Sequence, residues 1–221
     1  MRTILFILIL ACISLSTFGE EVKWKLEKTP ASSLPFARTK AALWGKPGYA
    51  IAWDERSNLP IYTYKDLCLT QRNDFDEDVV IFRKFQPTNT NFYIAALTIG
   101  VSDPNRELLV TYDKEGKVID FLESGVFCMN SSWLFIKQWR ITEKLEVIIT
   151  TIKVNPADNI DASDKFISVR GYRVDTYYKI DTSGKFLKEK EVKYEPTMYS
   201  KSYLEDKNKN LWEGEEKIQE E

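Results

Sequence analysis

Short runs of β-branched and aromatic residues, separated by turn residues, follow one another through most of this chain and constrain its fold more than any other feature. The runs are Ile61–Leu69, Val79–Phe85, Phe92–Ile99, Glu107–Tyr112, Val118–Leu122, Trp133–Ile141, Leu145–Val154, Phe166–Ile180 and Phe186–Tyr194. Helical periodicity is absent across most of this stretch, and sequential strands joined by tight turns form antiparallel hairpins. The sequence therefore predicts a mainly β domain. We expect an antiparallel meander of about eight to ten strands that forms a barrel or a sandwich, because both forms avoid exposed sheet edges.

Two of the connections share one turn pattern, in which an Asp is followed three residues later by Gly and then Lys. Asp113 and Gly116 provide it in the first turn, and Asp181 and Gly184 in the second. Asp at the first position accepts hydrogen bonds from the backbone ahead of it, and Gly takes the left-handed conformation that a type I turn with a bulge requires. A calcium loop needs more oxygen ligands, and a phosphate loop needs more glycines followed by a helix. The pattern therefore predicts two structural hairpin turns.

The N-terminus has the layout of a secretory signal, with a basic residue at Arg2, an apolar run over Ile4–Leu15 and small residues ending at Gly19. We predict that residues 1–19 are removed on export. The alternative is a loose bacterial lipobox that ends at Cys12, which would then become a lipidated N-terminus. The apolar run is shorter than the roughly 20 residues that a membrane span needs. The chain is therefore predicted in the periplasm, outside the cell, or attached to the outer membrane by a lipid.

The mature chain divides into three parts. Residues 20–60 form a lead-in that packs on the domain, with a short helix predicted over Ala37–Leu43. Residues 61–204 form the β domain. Residues 205–221 are polar and rich in acids, which predicts a short surface helix or a frayed tail.

The chain contains no histidine. Ser-His-Asp and Cys-His catalysis and imidazole-ligated zinc are therefore excluded, and we predict no metal and no cofactor. The 31 basic and 33 acidic residues are interspersed, so no field favours nucleic acid as a partner. Cys68 and Cys128 remain after removal of the signal. They are expected to form a disulfide in an oxidising compartment or, alternatively, to serve as small buried hydrophobes.

Acidic and aromatic side chains are the candidates for a binding or catalytic site. Tyr172, Val174 and Tyr178 share one face of a long strand, and such rings either fill a β core or stack a sugar or an apolar ligand. A glycosidase would need two opposed carboxylates. Asp120 is the least expected acid because it alternates with apolar residues, and an inward-facing Arg140, Arg170 or Arg173 would satisfy it without catalysis. No catalytic pair is nominated.

Three blocks carry a resemblance to a known family: Leu109–Asp120, Lys137–Ile141 with Leu145–Val154, and Tyr178–Phe186. Together they resemble an uncharacterised family of secreted proteins and lipoproteins from gut Bacteroidota. The resemblance covers roughly the second half of the chain and weakens before Phe92. It implies a bacterial envelope location and brings no activity, ligand or catalytic residue.

The function predicted from the sequence is that of an exported, non-enzymatic envelope protein whose β domain binds a small ligand, a glycan or an envelope protein. One alternative is a histidine-free glycan hydrolase that uses paired carboxylates. Another is a structural or inhibitory module, which predicts a filled interior and function on loops. Membrane contact is expected only through the lipid anchor at Cys12.

Overall fold

The computed structural model describes residues 22–29, 31–39, 62–63, 65–67, 69, 79–99, 105–130, 133–154, 167–206 and 208–219. A helix, α1, spans residues 22–28. The strands in chain order are β1 (Ala31–Ser32), β2 (Phe36–Ala37), β3 (Val79–Phe85), β4 (Phe92–Ile99), β5 (Asn105–Asp113), β6 (Val118–Asn130), β7 (Trp133–Ile141), β8 (Glu146–Val154), β9 (Ser168–Ile180), β10 (Phe186–Lys193) and β11 (Thr197–Ser200). The remaining elements are α2 (Lys201–Glu205) and the 3₁₀ helices Lys65–Leu67 and Leu211–Glu213.

Strands β3 to β10 form the predicted antiparallel meander, in which each strand pairs with the next. The long strand β6 is shared by two sheets, because its residues 118–127 pair with β5 and its residues 126–130 pair with β7. β6 has a bulge at Ser124, shortly before the residues that pair with β7. The first sheet therefore contains β3 to β6 and the second contains β6 to β10. The mainly β prediction is confirmed, and the architecture is a sandwich and not a closed barrel.

The inner faces of the two sheets are filled by apolar and aromatic side chains. Phe36 of β2 packs between Phe85 and Trp139, with ring centroids 5.0 and 5.4 Å apart. Tyr178 and Ile180 of β9 belong to the same cluster. Of the aromatic rings predicted on this side of β9, Tyr178 therefore packs against the core, and Tyr172 is half-buried.

The outer face of the first sheet is covered by α1 and the 3₁₀ helix at Lys65–Leu67. Val22 and Leu26 lie four residues apart on one side of α1 and are almost fully buried against this sheet. The prediction of a strand over Ile61–Leu69 differs from the structure in the described residues. Thr63 and Asp66 exchange side-chain-to-backbone hydrogen bonds of 2.9 and 3.2 Å, which favour a tight helical turn there.

The outer face of the second sheet is covered by α2 and by residues 208–219, called the C-terminal segment below. Leu211 is fully buried in a cluster with Ile152, Val169 and Tyr199. The expectation of a surface helix or frayed tail therefore differs from the structure. Leu211 thus fills an apolar site on the sheet, whereas Ile218 is 61% exposed and the Glu216 side chain is only 6% exposed.

The two predicted hairpin turns are confirmed. The Asp113 carboxylate accepts from the backbone of Glu115 and Lys117, and Asp181 makes the equivalent bonds in the second turn. Gly116 and Gly184 have positive φ angles of 84° and 90°. The predicted helix over Ala37–Leu43 is wrong at its first residue, since Ala37 lies in β2.

Several expectations lie outside the described residues. These are the signal at 1–19 with Cys12, residues 40–43 of the predicted helix, and Cys68. Cys128 lies in β6 but its side chain is not among the described atoms, so the disulfide stays a prediction. Within the described part of the chain, no helix combines the length and apolarity that crossing a membrane would demand.

Candidate functional site

A row of buried polar side chains crosses the outer face of the second sheet. Gln138, Thr150 and Asp175 lie directly opposite one another on β7, β8 and β9, and none is more than 1% exposed. A sheet face covered by another segment is ordinarily apolar, because burying polar groups is unfavourable unless they are hydrogen-bonded. This row is therefore the least expected feature of the surface between the sheet and the C-terminal segment.

Next to this row lies the arginine–tyrosine cluster, made of Arg173, Asp175, Tyr194, Tyr199 and Glu216. Arg173 donates through Nε to Asp175 Oδ1 at 3.0 Å and through Nη2 to Oδ2, a bidentate pair. Its Nη1 lies 3.5 Å from Glu216 Oε2, and its guanidinium stacks 4.4 Å above the ring of Tyr194. The Tyr194 hydroxyl donates to Asp175 Oδ2 at 3.1 Å. One guanidinium thus binds two carboxylates, and a tyrosine binds one of them.

Local structure explains how the cluster assembles. Arg173 and Asp175 are two residues apart on β9 and therefore share its outer face. Tyr194 directly follows β10, and a backbone hydrogen bond from its N–H to the carbonyl of Arg173 holds it beside that residue. Glu216 folds back over Gly214, where a Cβ atom would lie 2.0 Å from the Glu216 carboxylate. Gly214 is therefore needed to bring Glu216 to the guanidinium.

Burial and charge shift the pKa values of the cluster. Burial alone would lower the pKa of Arg173, but the hydrogen bonds and charge of Asp175, with Tyr194 and Glu216, raise it overall. Burial and the charge of Asp175 raise the pKa of Tyr194 to about 12. Burial and the charge of Glu216 raise the pKa of Tyr203 to about 12, and the same two causes raise that of Tyr199 further. The three phenols therefore stay protonated far above the usual range.

Alkaline titration provides a test of this environment. Unfolded tyrosines ionise near pH ~10, whereas Tyr194 and Tyr203 hold their protons to about pH 12. Their contribution to the free energy of unfolding is therefore complete below pH ~10 and falls as the pH rises toward 12, because the unfolded state loses protons first. Absorbance at the phenolate band should show Tyr194, Tyr199 and Tyr203 ionising late, together with Tyr62, whose pKa burial also raises. A Tyr203→Phe variant should lose one of them, and a single transition near pH ~10 in the folded protein would contradict the assignment.

A second buried ion pair lies inside the sandwich. Arg38, just after β2, donates from Nε and Nη2 to Glu107 Oε1, both at 2.9 Å, and Trp139 donates from its indole N–H to Glu107 Oε2 at 2.8 Å. Both charged side chains are 5% exposed. Gly125 makes room for the carboxylate, since a Cβ atom there would lie 2.7 Å from Oε2. This network attaches the N-terminal residues to both sheets.

Neither buried network has the arrangement of a hydrolytic site. A glycosidase places an acid and a second carboxylate on either side of an accessible bond. Asp175 and Glu216 instead bind the same guanidinium beneath the C-terminal segment, and Glu107 is enclosed between the sheets. Among the described residues, no group of three or more Cys, Asp or Glu side chains is placed to hold a metal ion.

Asp120, the acid singled out from the sequence, has a structural partner. Its Oδ2 accepts the backbone N–H of Phe186 at 2.9 Å, which connects β6 to the start of β10. The arginines expected to pair with it are elsewhere: Arg173 binds Asp175, and Arg140 stacks 5.2 Å from the ring of Trp212. Arg170 is exposed on β9, opposite Met198 of β11. The arginine pairing is therefore not what satisfies Asp120 in this part of the structure.

Two aromatic rings near the surface are each contacted on one face by a lysine side chain. Lys28 lies 3.7 Å above the half-exposed Trp24, and Lys190 lies 4.5 Å above Tyr177. Such contacts are favourable by about 0.5–1 kcal/mol at exposed sites. Each of these two rings thus has a lysine of the chain itself over one face.

Thr150 and Thr111 form a matched pair for testing buried hydroxyls. Among the described residues the Thr150 hydroxyl has no hydrogen-bond partner, whereas that of Thr111 donates to the carbonyl of Gly184 at 2.6 Å. We expect Thr150→Val to raise the free energy of unfolding by about 1 kcal/mol and Thr111→Val to lower it by about 1–3 kcal/mol. Urea denaturation measures both. Destabilisation by Thr150→Val would instead indicate a hydrogen bond to internal water.

Sequence reasoning named Arg173 as a possible partner of a buried acid but missed that its acids are Asp175 and Glu216. The available signal was the alternation of polar residues on strands that are otherwise apolar. Glu216 carried no signal, because it belongs to an acid-rich stretch with the composition of a solvated tail.

Comparisons with known proteins found no matching family model, no similar curated protein and no similar solved structure. The fold and the buried networks define the class of the molecule as an antiparallel β-sandwich with a filled interior.

Proposed function

We propose that this protein is an exported, non-enzymatic envelope protein that binds a macromolecular partner at the surface of its β-sandwich. The observation that carries the proposal is the packing between the described parts of the sheets, where β2, both inner faces and the Arg38–Glu107 pair are buried against one another. The buried carboxylates of Glu107 and Asp175 are each paired with an arginine. Binding at the outer surface is therefore favoured over an internal ligand site and over catalysis.

Export is inferred from the N-terminal sequence. The basic residue, apolar run and small-residue exit within residues 1–19 are typical of a secretory signal, and the resemblance to secreted and lipid-anchored Bacteroidota proteins supports the same location. Lipidation at Cys12 is the alternative processing route. The intact mass of the protein from its native host distinguishes a chain that starts at Glu20 from one that starts at a diacylated or triacylated Cys12. An unprocessed Met1 would contradict export.

The same filled interior also favours a second candidate, a structural or inhibitory envelope module. Co-sedimentation of the purified mature chain with peptidoglycan and with outer-membrane vesicles from the host tests binding directly. The proposal expects saturable binding to one of these fractions and no release of reducing sugar ends. Reducing ends that disappear in an Asp175→Asn variant would support the hydrolase instead. Saturable binding to neither fraction would overturn the proposal in favour of the structural or inhibitory module.

A further inference from the structure

The C-terminal segment lies on the second sheet in the way that a bound peptide does. The backbone N–H of Leu211 donates to Gln138 Oε1 at 2.7 Å, and the Leu211 side chain is fully buried. Five residues later, the Glu216 carboxylate is 6% exposed beside Arg173. The segment ends in a short antiparallel pairing, in which Glu195 donates to the carbonyl of Lys217 at 2.8 Å and Gln219 donates to that of Lys193 at 2.9 Å. An apolar anchor, an acidic anchor and a strand pairing thus act together.

We infer that this face is a peptide-binding site for an acidic segment whose leucine begins a short 3₁₀ turn five residues before a glutamate, and that the chain's own C-terminal segment occupies it. The receiving groups lie beneath the segment, where Gln138 is fully buried and Arg173 is 4% exposed. The charge of the Arg173 guanidinium attracts Glu216 Oε2 across 3.5 Å, and short strand pairing adds main-chain bonds without sequence preference. The inference rests on the proposed binding function and names its site and the chemistry of the partner.

The polar row beneath the C-terminal segment favours replacement of this segment by a peptide from another molecule. When the segment leaves, Gln138, Thr150 and Asp175 become hydrated, so less apolar surface is exposed than beneath a wholly apolar cover. The tethered segment has the advantage of a local concentration of roughly millimolar. A partner in trans therefore has to bind more tightly than the segment does, or the anchors of the segment have to be weakened. Occupation in cis thus keeps the site closed to weak competitors.

The test uses the full chain and a fluorescent synthetic peptide with the sequence of residues 206–219. In a Leu211→Ala/Glu216→Ala variant the tethered segment has lost both anchors, so the peptide should bind at least about ten-fold more tightly than to the unaltered chain. A Glu215→Ala variant, altered at an exposed neighbour, should bind no better than the unaltered chain. A peptide with the same substitutions at Leu211 and Glu216 should bind the double variant no more tightly than it binds the unaltered chain. Fluorescence anisotropy measures all of these affinities.

The inference is overturned if the folded double variant does not bind the peptide, or binds the anchorless peptide equally well. If the double variant does not fold, hydrogen exchange of the unaltered chain tests the inference instead. The amides of Leu211 and Gln219 should then exchange together and at least about ten-fold faster than that of Ala95 in β4. Equal rates would mean that the segment opens only with the whole domain. Any of these failures removes this site but leaves the co-sedimentation test of envelope binding unaffected.

Discussion

Replacing Arg38 by Met should lower the free energy of unfolding by about 3–5 kcal/mol, because it leaves the Glu107 carboxylate buried without its cation. The carboxylate would keep only the indole N–H of Trp139 as a partner, inside a sandwich where it is 5% exposed. Guanidinium chloride denaturation followed by tryptophan fluorescence measures the loss.

The double variant Arg38→Met/Glu107→Gln should recover much of this loss, since a neutral amide still accepts the Trp139 hydrogen bond and no longer needs a counter-charge. Lys137→Met is the matched control, because its ion pair with Glu123 is 22% and 37% exposed and should contribute at most about 1 kcal/mol. Equal losses for Arg38→Met and Lys137→Met would show that the buried carboxylate is compensated in another way.

Gly184→Ala should lower the free energy of unfolding by about 2–5 kcal/mol, the sum of left-handed backbone strain and overpacking. Gly184 has a φ of 90°, and a Cβ atom there would lie 2.9 Å from Ile119 Cδ1. Its carbonyl also accepts the Thr111 hydroxyl, so any shift of the turn weakens the contact between the two sheets.

Gly116→Ala provides the control, because it occupies the same position in the same turn pattern with a φ of 84°. It should lose only about 1–2 kcal/mol from backbone strain. Thermal unfolding of the two variants compares them under one condition. A loss at Gly116 as large as that at Gly184 would mean that strain alone determines both values and that contact with Ile119 adds nothing.

Much of the architecture could be predicted because it depends on local patterns. The boundaries of β3, β4 and β7 follow directly from runs of β-branched and aromatic residues. The Asp–Gly turns are encoded within five residues each. The choice between a barrel and a sandwich could not be made in this way. The shared strand β6 has a bulge at Ser124, and the adjacent Gly125 signals a bulge without indicating whether the sheet closes on itself.

The buried networks could not be predicted for a related reason. Arg38 and Glu107 are 69 residues apart, and Gln138 and Leu211 are 73 residues apart. Each partner taken alone has the character of an ordinary surface residue. Only the pairing of β2 with the end of β7, and of the C-terminal segment with the residues after β10, brings them together.

The sharing of β6 by both sheets has a consequence for the way the molecule comes apart. β6 is the last strand of the first sheet and the first strand of the second. Unfolding of either sheet therefore breaks hydrogen bonds of this strand and leaves the other sheet with an unpaired edge. We therefore expect one cooperative melting event for the sandwich in calorimetry, with matching calorimetric and van't Hoff enthalpies. Under a pulling force applied across the sheets, β6 would act as a mechanical clamp, and its rupture would release both halves at once.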